Sequence, residues 1–314
     1  MEQKAVASII DKNCRRGGNF RRVFRFFPRA RDGFGAILDA EGVVSGDGVM
    51  LPAYIGWSPR EGSGVFDPIA QRGIRPIFYR IDGELNIDLE DLEAKLESGG
   101  RIKAILFIHY FGFVDPHLKA AVAMAKSRGL TVIEDAAHAL YTDFALGSCS
   151  GYGDYVLYSL HKMLPFAGGG MVAFHGGKQA FGPLQCGFGD PFAYDFAAIA
   201  ARRRENYRRL QSLLAPLERW LVPLYPELPP GIAPQTFPLK VQGYDRFRLY
   251  QQMNGAGYGV VSLYHTLIEP LRTPEWGASQ GLSRCILNLP AHQDVDPERY
   301  PEMLSVMEGF LRGR

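Results

Sequence analysis

Apolar segments that alternate with helical segments constrain this chain more than any other feature of its sequence. Residues 104–112 and 130–134 are largely apolar. The segment between them opens with Asp115 and Pro116 and ends at Gly129, residues that are typical of helix ends. Strands that are apolar on both faces and are joined by helices form parallel sheets with right-handed crossovers. We therefore predict an α/β fold with a mainly parallel sheet.

Further segments of the same kind extend the predicted sheet. Residues 48–56, 74–81, 155–160 and 170–175 have the length and composition of strands. Asp88 precedes a helical segment whose leucines share one face, so we expect Asp88 to cap that helix.

A change in composition predicts a domain boundary in the last third of the chain. A helical segment runs from Phe196 to about Leu221, and residues 223–234 are then rich in proline and glycine. We predict a large domain over residues 1–225 and a small C-terminal α+β domain over residues 226–314.

The composition excludes several classes of protein. The net charge is +2, so the chain has no strong electrostatic attraction to nucleic acid or to anionic membranes. The basic segments at 21–27 and 202–209 are expected to be a strand and a solvated helix face. No apolar stretch approaches the roughly 20 residues of a membrane span, and the N-terminus does not resemble a secretory signal. We expect no nucleic-acid partner and no membrane association.

The cysteines and histidines do not form a metal-binding pattern. The four cysteines are scattered along the chain: Cys14, Cys149, Cys186 and Cys285. We interpret them as reduced thiols of a cytoplasmic protein. The sequence has no HxxH or HExxH pattern, so we expect no metal site.

Polar side chains gather where two of the predicted strands end. Asp135 directly follows the strand at 130–134, and His138 lies one short turn later. Ser159 and Lys162 lie at the end of the strand at 155–160. Open parallel sheets bind ligands beyond the carboxyl ends of their strands. We therefore expect these four residues to surround one site.

An acid, a hydroxyl and a lysine at one site suit pyridoxal 5′-phosphate (PLP). Its aldehyde takes up a lysine amine, its pyridine nitrogen needs a carboxylate, and its phosphate needs hydroxyls, N–H groups or a helix N-terminus. Lys162 can meet the first need, Asp135 the second and Ser159 part of the third. The ordinary alternatives are an exposed loop lysine at 162, a helix cap at 135 and a packed histidine at 138.

These residues belong to a longer pattern of motifs. IEDAAHAL (133–140) is followed by GSCSGYGD (147–154), YSLHK (158–162) and GGGM (168–171). In order, strand context and spacing, this pattern resembles the DegT/DnrJ/EryC1/StrS aminotransferases, which are fold-type-I PLP enzymes, many of them acting on nucleotide-linked keto-sugars. Weaker resemblance covers most of the chain from about residue 28 onward.

The resemblance implies a role for each matching residue. Lys162 would bind PLP as a Schiff base and would then act as the general acid and base. Asp135 would pair with the pyridinium nitrogen, and His138 would lie near the phenolic oxygen of the ring. Ser159 would bind the phosphate.

Residues nearer the N-terminus would complete the cofactor site. By the resemblance, Tyr54 or Trp57 would stack on the PLP ring. The backbone around Arg31, Asp32 and Gly33 would take the place of the upstream phosphate-binding turn of the family. His109 and His161 are expected to be structural.

Three features depart from the pattern of the family. The turn within residues 29–38 lacks the usual small hydroxyl residue, and residues 184–199 contain no Asn-x-Arg. Ser159 and Lys162 are only three residues apart, as in a shorter version of the motif within the family. Phosphate binding and sugar specificity are the properties that these departures affect.

The resemblance implies an aminotransferase. The acceptor would be a keto compound, with a nucleotide-linked keto-sugar as a candidate, and the donor would be an amino acid. Fold-type-I enzymes usually share active sites across a dimer, so a homodimer is implied. Two alternatives remain open: another PLP reaction on the same scaffold, such as dehydration or elimination, and a non-catalytic protein that retains the scaffold.

Overall fold

The computed structural model describes residues 9–14, 18–98, 100–174 and 189–313. His175, Cys186 and the first residues of the 184–199 segment lie outside the described residues, as does the side chain of Cys14. The strands are β1 (Ile9–Cys14), β2 (Gly18–Phe27), β3 (Gly48–Pro52), β4 (Arg75–Tyr79), β5 (Ile102–Ile108), β6 (Thr131–Asp135), β7 (Tyr155–Ser159), β8 (Gly170–Phe174), β9 (Leu221–Pro223), β10 (Phe237–Val241) and β11 (Ile286–Leu289). The helices are α1 (Ala30–Ala40), α2 (Phe66–Gln71), α3 (Leu89–Ser98), α4 (Leu118–Ser127), α5 (Leu140–Phe144), α6 (Phe196–Leu213), α7 (Arg246–Gly255), α8 (Gly277–Cys285) and α9 (Tyr300–Leu311).

The large sheet has eight strands in the order β1-β2-β8-β7-β6-β5-β3-β4. The five strands from β7 to β4 pair in parallel, and β8 is antiparallel to both of its neighbours. The predicted α/β fold with a mainly parallel sheet is confirmed. Strands buried on both faces explain why their sequences are continuously apolar instead of alternating.

The parallel register brings strand ends to one edge of the sheet. Ile108 of β5 pairs with Asp135 of β6, and Asp135 pairs with Leu157 of β7. The helix before β5 begins where the sequence predicts, because an Asp88 carboxylate oxygen accepts the N–H groups of Glu90 and Asp91. Polar residues that follow β5, β6 and β7 therefore converge at this edge.

Two predicted elements end earlier in the structure than in the sequence analysis. The strand predicted over 104–112 stops at Ile108, and the chain then turns through a short 3₁₀ segment, Tyr110–Gly112. The helix predicted to run to about Leu221 stops at Leu213, because Pro216 lacks an N–H and its ring clashes with a preceding carbonyl.

The expectation of a solvated face at 202–209 is wrong in part. Arg203, Asn206 and Tyr207 are at most 3% exposed on α6. The Arg203 guanidinium donates to backbone carbonyls of Pro234 and Gln235, so this arginine joins α6 to a later segment of the chain.

A second, antiparallel sheet is formed by β9, β10 and β11. Helices α7 and α8 lie between β10 and β11 in the chain, and α9 follows β11. This is the α+β organisation expected for the C-terminal part. The domain limits at 225 and 226 stay a prediction.

The described ranges were compared with the requirements of a membrane span and of a metal site. No helix there is long and apolar enough to cross a membrane. Nor do those ranges contain a group of three or more histidine, cysteine or acidic side chains that could hold a metal ion.

Candidate active site

A pocket of about 510 Å³ lies beyond the carboxyl ends of β5, β6 and β7. Ile108, Asp135 and Ser159, the last residues of these strands, all line it. This is the position at which open parallel sheets bind ligands. The sequence predicts a site at this edge, and the pocket lies there.

Lys162 ends the 3₁₀ turn that follows β7 and lies on the pocket wall. Its Nζ is 3.3 Å from Nε2 of His138. The side chain is open to solvent from the pocket, yet the protein surrounds the amine, and this burial lowers the pKa of Lys162. The charges of Asp135 and Glu61 oppose the shift, and that of Arg31 adds to it. A lowered pKa increases the free-amine fraction that a nucleophile needs.

Asp135 is the last residue of β6, and its side chain faces the same pocket. Its Oδ1 accepts the N–H of Ala137 at 2.9 Å. Burial raises the pKa of Asp135, while the positive charge of Lys162, the Ala137 N–H and His109 oppose that shift. A cation placed beside this carboxylate would therefore relieve an existing cost of burial.

His138 lies beneath the pocket and is 4% exposed. Its Nδ1 is 3.4 Å from the backbone nitrogen of Phe111, and the ring of Phe111 stacks on the imidazole. Burial, aided by the charge of Lys162, places the pKa of His138 well below its ordinary value. The ring is therefore neutral at neutral pH.

A glycine-rich turn brings β8 close to the start of α1. A Cβ on Gly170 would lie 2.4 Å from the backbone nitrogen of Ala30, so only glycine fits. The Gly169 N–H donates to the Pro28 carbonyl at 2.8 Å, which fixes the approach. Ala30, Arg31 and Gly168 line the pocket, and the first N–H groups of a helix have no acceptor within the helix.

The polar groups near this turn suit an anion. Ser159 is 3% exposed, and its hydroxyl is 3.3 Å from Nδ1 of His161, which also lines the pocket. Arg31 lies beside them, although its guanidinium is bound to the Asp67 carboxylate at 3.0 Å. A helix N-terminus with a hydroxyl and a cation is an ordinary phosphate site.

Asp32 is not part of the pocket lining. Its carboxylate receives two hydrogen bonds from the Arg29 guanidinium, at 2.9 and 3.2 Å. Residues 29–31 line the pocket, two residues earlier than the 31–33 segment expected from the resemblance. Gly33 instead packs against the sheet, where a Cβ would lie 2.8 Å from Val172.

The two aromatic candidates for ring stacking occupy different places. Trp57 lines the pocket and is 39% exposed. Tyr54 is fully buried behind it, with its ring packed against those of Tyr110 and Tyr264. The structure therefore brings Trp57, and not Tyr54, to the pocket surface.

Sequence reasoning missed three pocket residues. Glu61 and His161 line the pocket, and the Glu61 charge acts on both Lys162 and His161. Tyr264 comes from the C-terminal part of the chain and has a φ of 58°, a rare value for a residue with a side chain. Only His161, next to Lys162, carried a signal in the sequence, through its place in the YSLHK motif.

A buried carboxylate, that of Glu134, directly precedes Asp135 on β6. The carboxylate of Glu134 is 2.9 Å from Nε2 of His109 and accepts the backbone N–H groups of Ser150, Tyr152 and Gly153. Burial raises its pKa, but His109 and these N–H groups outweigh burial, so the net pKa of Glu134 is lowered. This carboxylate fixes the loop that leads into β7.

The relationship to known proteins agrees with this geometry. Residues 32–181 match the sequence model of the DegT/DnrJ/EryC1/StrS aminotransferase family. These residues, just under half of the chain, are similar to this family. All four residues at the two strand ends lie within the matched segment.

Curated relatives of the family resemble only part of the chain. The spore coat polysaccharide biosynthesis protein SpsC of Bacillus subtilis is 36% identical over 138 residues, 43% of this chain and 33% of the relative. The GDP-perosamine synthase of Escherichia coli O157:H7 is 31% identical over 140 residues, 43% of this chain and 35% of the relative. The chain thus matches about a third of the length of these relatives.

Solved structures match over nearly the whole chain. A putative sugar aminotransferase of Streptococcus pneumoniae, Spr1654 in its PMP form, has a TM-score of 0.74 at 17% identity, covering 93% of this chain and 88% of the other. An aminotransferase of this family from Brucella abortus has a TM-score of 0.72 at 20% identity, covering 92% and 86%. At such identities the likeness shows the fold, which is that of fold-type-I aminotransferases.

Proposed function

We propose that this protein is a PLP-dependent aminotransferase that passes an amino group from an amino acid to a keto compound. The observation that carries the proposal is the convergence of Lys162, Asp135 and His138 in one pocket, with a helix N-terminus at its far side. The match of residues 32–181 to the DegT/DnrJ/EryC1/StrS aminotransferase family supports it.

The groups present fit PLP. The amine of Lys162 is available in the pocket, and the raised pKa of Asp135 marks a buried carboxylate that lacks a full counter-charge. Ser159 and the start of α1 provide hydrogen-bond donors for a phosphate. The absence of a side chain at Gly170 allows β8 to approach the start of α1 closely. Lys162 would hold the aldehyde carbon, Asp135 the pyridine nitrogen, and Ser159 with Ala30 and Arg31 the phosphate.

When bound, PLP supplies an electron sink that stabilises negative charge at the carbon next to the amino group. The chain supplies the remaining chemistry. Asp135 would hold a proton on the ring nitrogen through its negative charge. Lys162 would move a proton at Nζ to and from the substrate carbon, and its lowered pKa favours the free amine that accepts this proton.

We further propose a keto-sugar as the acceptor. The support is the name of one relative, a GDP-perosamine synthase, and the polar character of the pocket mouth, where Arg60, Glu61 and His265 offer partners for hydroxyl and phosphate groups. The side chains of Arg60 and Glu61 are exposed to solvent.

A homodimer in the cytoplasm completes the proposal. The support for the dimer is the resemblance to fold-type-I enzymes, which share active sites between subunits. The support for the compartment is that the four cysteines are scattered along the sequence in no pattern typical of a disulfide framework. Sedimentation equilibrium measures the assembly, and a mass of one subunit would contradict the dimer.

A half-reaction with the amino donor alone tests the function. Protein loaded with PLP is mixed with glutamate and then with other amino acids, and its absorption is followed without an acceptor. Transamination converts the bound cofactor to its amine form and releases one keto acid per site. Ammonia release without the amine form would indicate elimination. No reaction with any donor or amino-sugar, despite bound PLP, would favour a retained scaffold.

A further inference from the structure

His138 is held between two nitrogen atoms with different hydrogen-bonding properties. The backbone nitrogen of Phe111 lies 3.4 Å from its Nδ1, and Nζ of Lys162 lies 3.3 Å from its Nε2. The ring is 4% exposed, so water has little access to it. Each ring nitrogen therefore has one fixed partner.

An uncommon backbone conformation directs Phe111 at His138. Phe111 has φ 54° and ψ 17°, in the left-handed region that residues with side chains rarely adopt. Its ring stacks on the imidazole, with centroids 6.1 Å apart and planes 20° apart. At Gly112 a Cβ would lie 3.0 Å from the His138 carbonyl oxygen. The 109–112 turn is thus packed directly against His138, and non-glycine strain at such a place is characteristic of functional sites.

The contact with Phe111 selects one form of the imidazole. A backbone N–H can only donate, so Nδ1 must accept, and a neutral ring then carries its hydrogen on Nε2. An imidazolium would set Nδ1–H against the Phe111 N–H. The lowered pKa of His138 agrees with this geometry.

We propose that Phe111 is a positioning residue that holds His138 as the neutral tautomer protonated on Nε2, and that this N–H favours the free-amine form of Lys162. An ammonium at Lys162 would place donor against donor, whereas a free amine accepts the Nε2–H through its lone pair. The inference rests on the proposed function, because a free amine matters only where Lys162 attacks a carbonyl carbon.

The other ionisable neighbours leave this selection intact. Tyr264 faces His138 edge-on with ring centroids 6.0 Å apart, and Asp135 ends the strand that precedes it. Among the described residues, neither makes a hydrogen bond with the His138 ring. The contacts with Phe111 and Lys162 therefore set the state of the ring.

Long-range proton–nitrogen NMR on protein with ¹⁵N-labelled histidine reads the tautomer directly. The chain has seven histidines, and the signals of His138 are identified by their loss in His138→Gln. A matched variant, His161→Gln, removes the neighbouring pocket histidine and should leave the His138 pattern in place. At neutral pH we expect an unprotonated Nδ1 and a protonated Nε2. An imidazolium pattern or the opposite tautomer would overturn the inference.

Two substitutions separate the contacts of the ring. In His138→Gln the amide nitrogen reaches the Nε2 position and keeps a donor toward Lys162. In His138→Asn the side chain reaches only the Nδ1 position and leaves Lys162 without that donor. We expect PLP attachment at neutral pH to be faster for the Gln variant than for the Asn variant. For Asn it should fall about tenfold per unit rise in the pKa of Lys162, and recover at higher pH.

Equal pH profiles for the Gln and Asn variants would overturn the role of the donor. The proposed function fails in a different way. If the wild-type protein takes up no PLP at any pH, the aminotransferase proposal falls, and the NMR experiment on the cofactor-free protein still decides the tautomer.

Discussion

The buried carboxylate of Asp135 lowers the stability of the folded protein, although the proposed reaction requires it. Because burial raises its pKa above the ordinary 3.8, the folded protein binds this proton more tightly than the unfolded chain does. The protonated carboxyl therefore contributes to stability below pH 3.8, the pKa of the unfolded chain. This contribution is lost as the pH rises from 3.8 through the higher pKa of the folded protein. Ionisation of this carboxylate is therefore a net cost to the stability of the cofactor-free protein.

Asp135→Asn should separate these two effects. The amide oxygen still accepts the Ala137 N–H, and the buried charge is gone. We expect the Tm of the cofactor-free protein to stay the same or rise at pH 7, while the rate of amino transfer falls by roughly 10²–10³-fold. Calorimetry and steady-state kinetics measure the two quantities. A lower Tm would contradict the predicted cost of the buried charge, and an unchanged rate would contradict the proposed role of Asp135 in amino transfer.

At the scale of elements, Glu134 holds β6, the 150–153 loop and the residue after β5 together. Its lowered pKa means that its stabilising effect is present above pH 4.5 and is lost as the pH falls through the folded pKa. Glu134→Gln should therefore reduce the free energy of unfolding at pH 7 by about 3 kcal/mol, because three backbone N–H groups and His109 lose a charged acceptor.

The pH dependence distinguishes this role from simple packing. The difference between wild type and Glu134→Gln in urea unfolding should shrink below pH 4.5. Glu93→Gln, on the exposed face of α3, is the matched control and should change stability by less than about 0.5 kcal/mol. A constant difference across this pH range would mean that the charge of Glu134 contributes nothing.

The close approach of β8 and α1 makes a second prediction at this scale. Gly170→Ala would force a Cβ against the backbone of Arg29 and Ala30, at 2.4 Å from each. We expect a loss of about 1–3 kcal/mol in stability and weaker PLP binding, because the start of α1 must move. Gly281→Ala in α8 meets no atom within 4 Å and should stabilise by about 0.5–1 kcal/mol. Unchanged PLP affinity in Gly170→Ala would separate this turn from the cofactor site.

At the scale of the molecule, the sequence predicts whatever depends on local pattern. The apolar strands, the motif at the ends of β6 and β7, and the mainly parallel sheet follow from residues close in the chain. Tyr264 does not, because backbone hydrogen bonds tie its segment to residues 55–57 from more than 200 positions away, such as Trp57 N to Thr266 O at 2.9 Å. The left-handed Phe111 also escapes prediction, since that conformation is expected at glycine.

Cofactor binding should raise the stability of the folded protein, because the pocket is lined by segments that are distant in the chain. A ligand that binds only the folded protein adds about 2.7 kcal/mol at a hundredfold excess over its Kd. We therefore expect PLP to raise the Tm of the wild type by several degrees. Lys162→Ala, which can bind PLP only without a covalent link, should gain less. Equal shifts in both proteins would argue against attachment at Lys162.

The central claim is that Lys162 carries the cofactor, and chemical trapping tests it most directly. The purified protein is incubated with PLP, its visible absorption is recorded, the link is reduced with borohydride, and the modified peptide is mapped. We predict a visible band and one modified residue, Lys162. A modified lysine elsewhere, or no band and no adduct, would contradict the account.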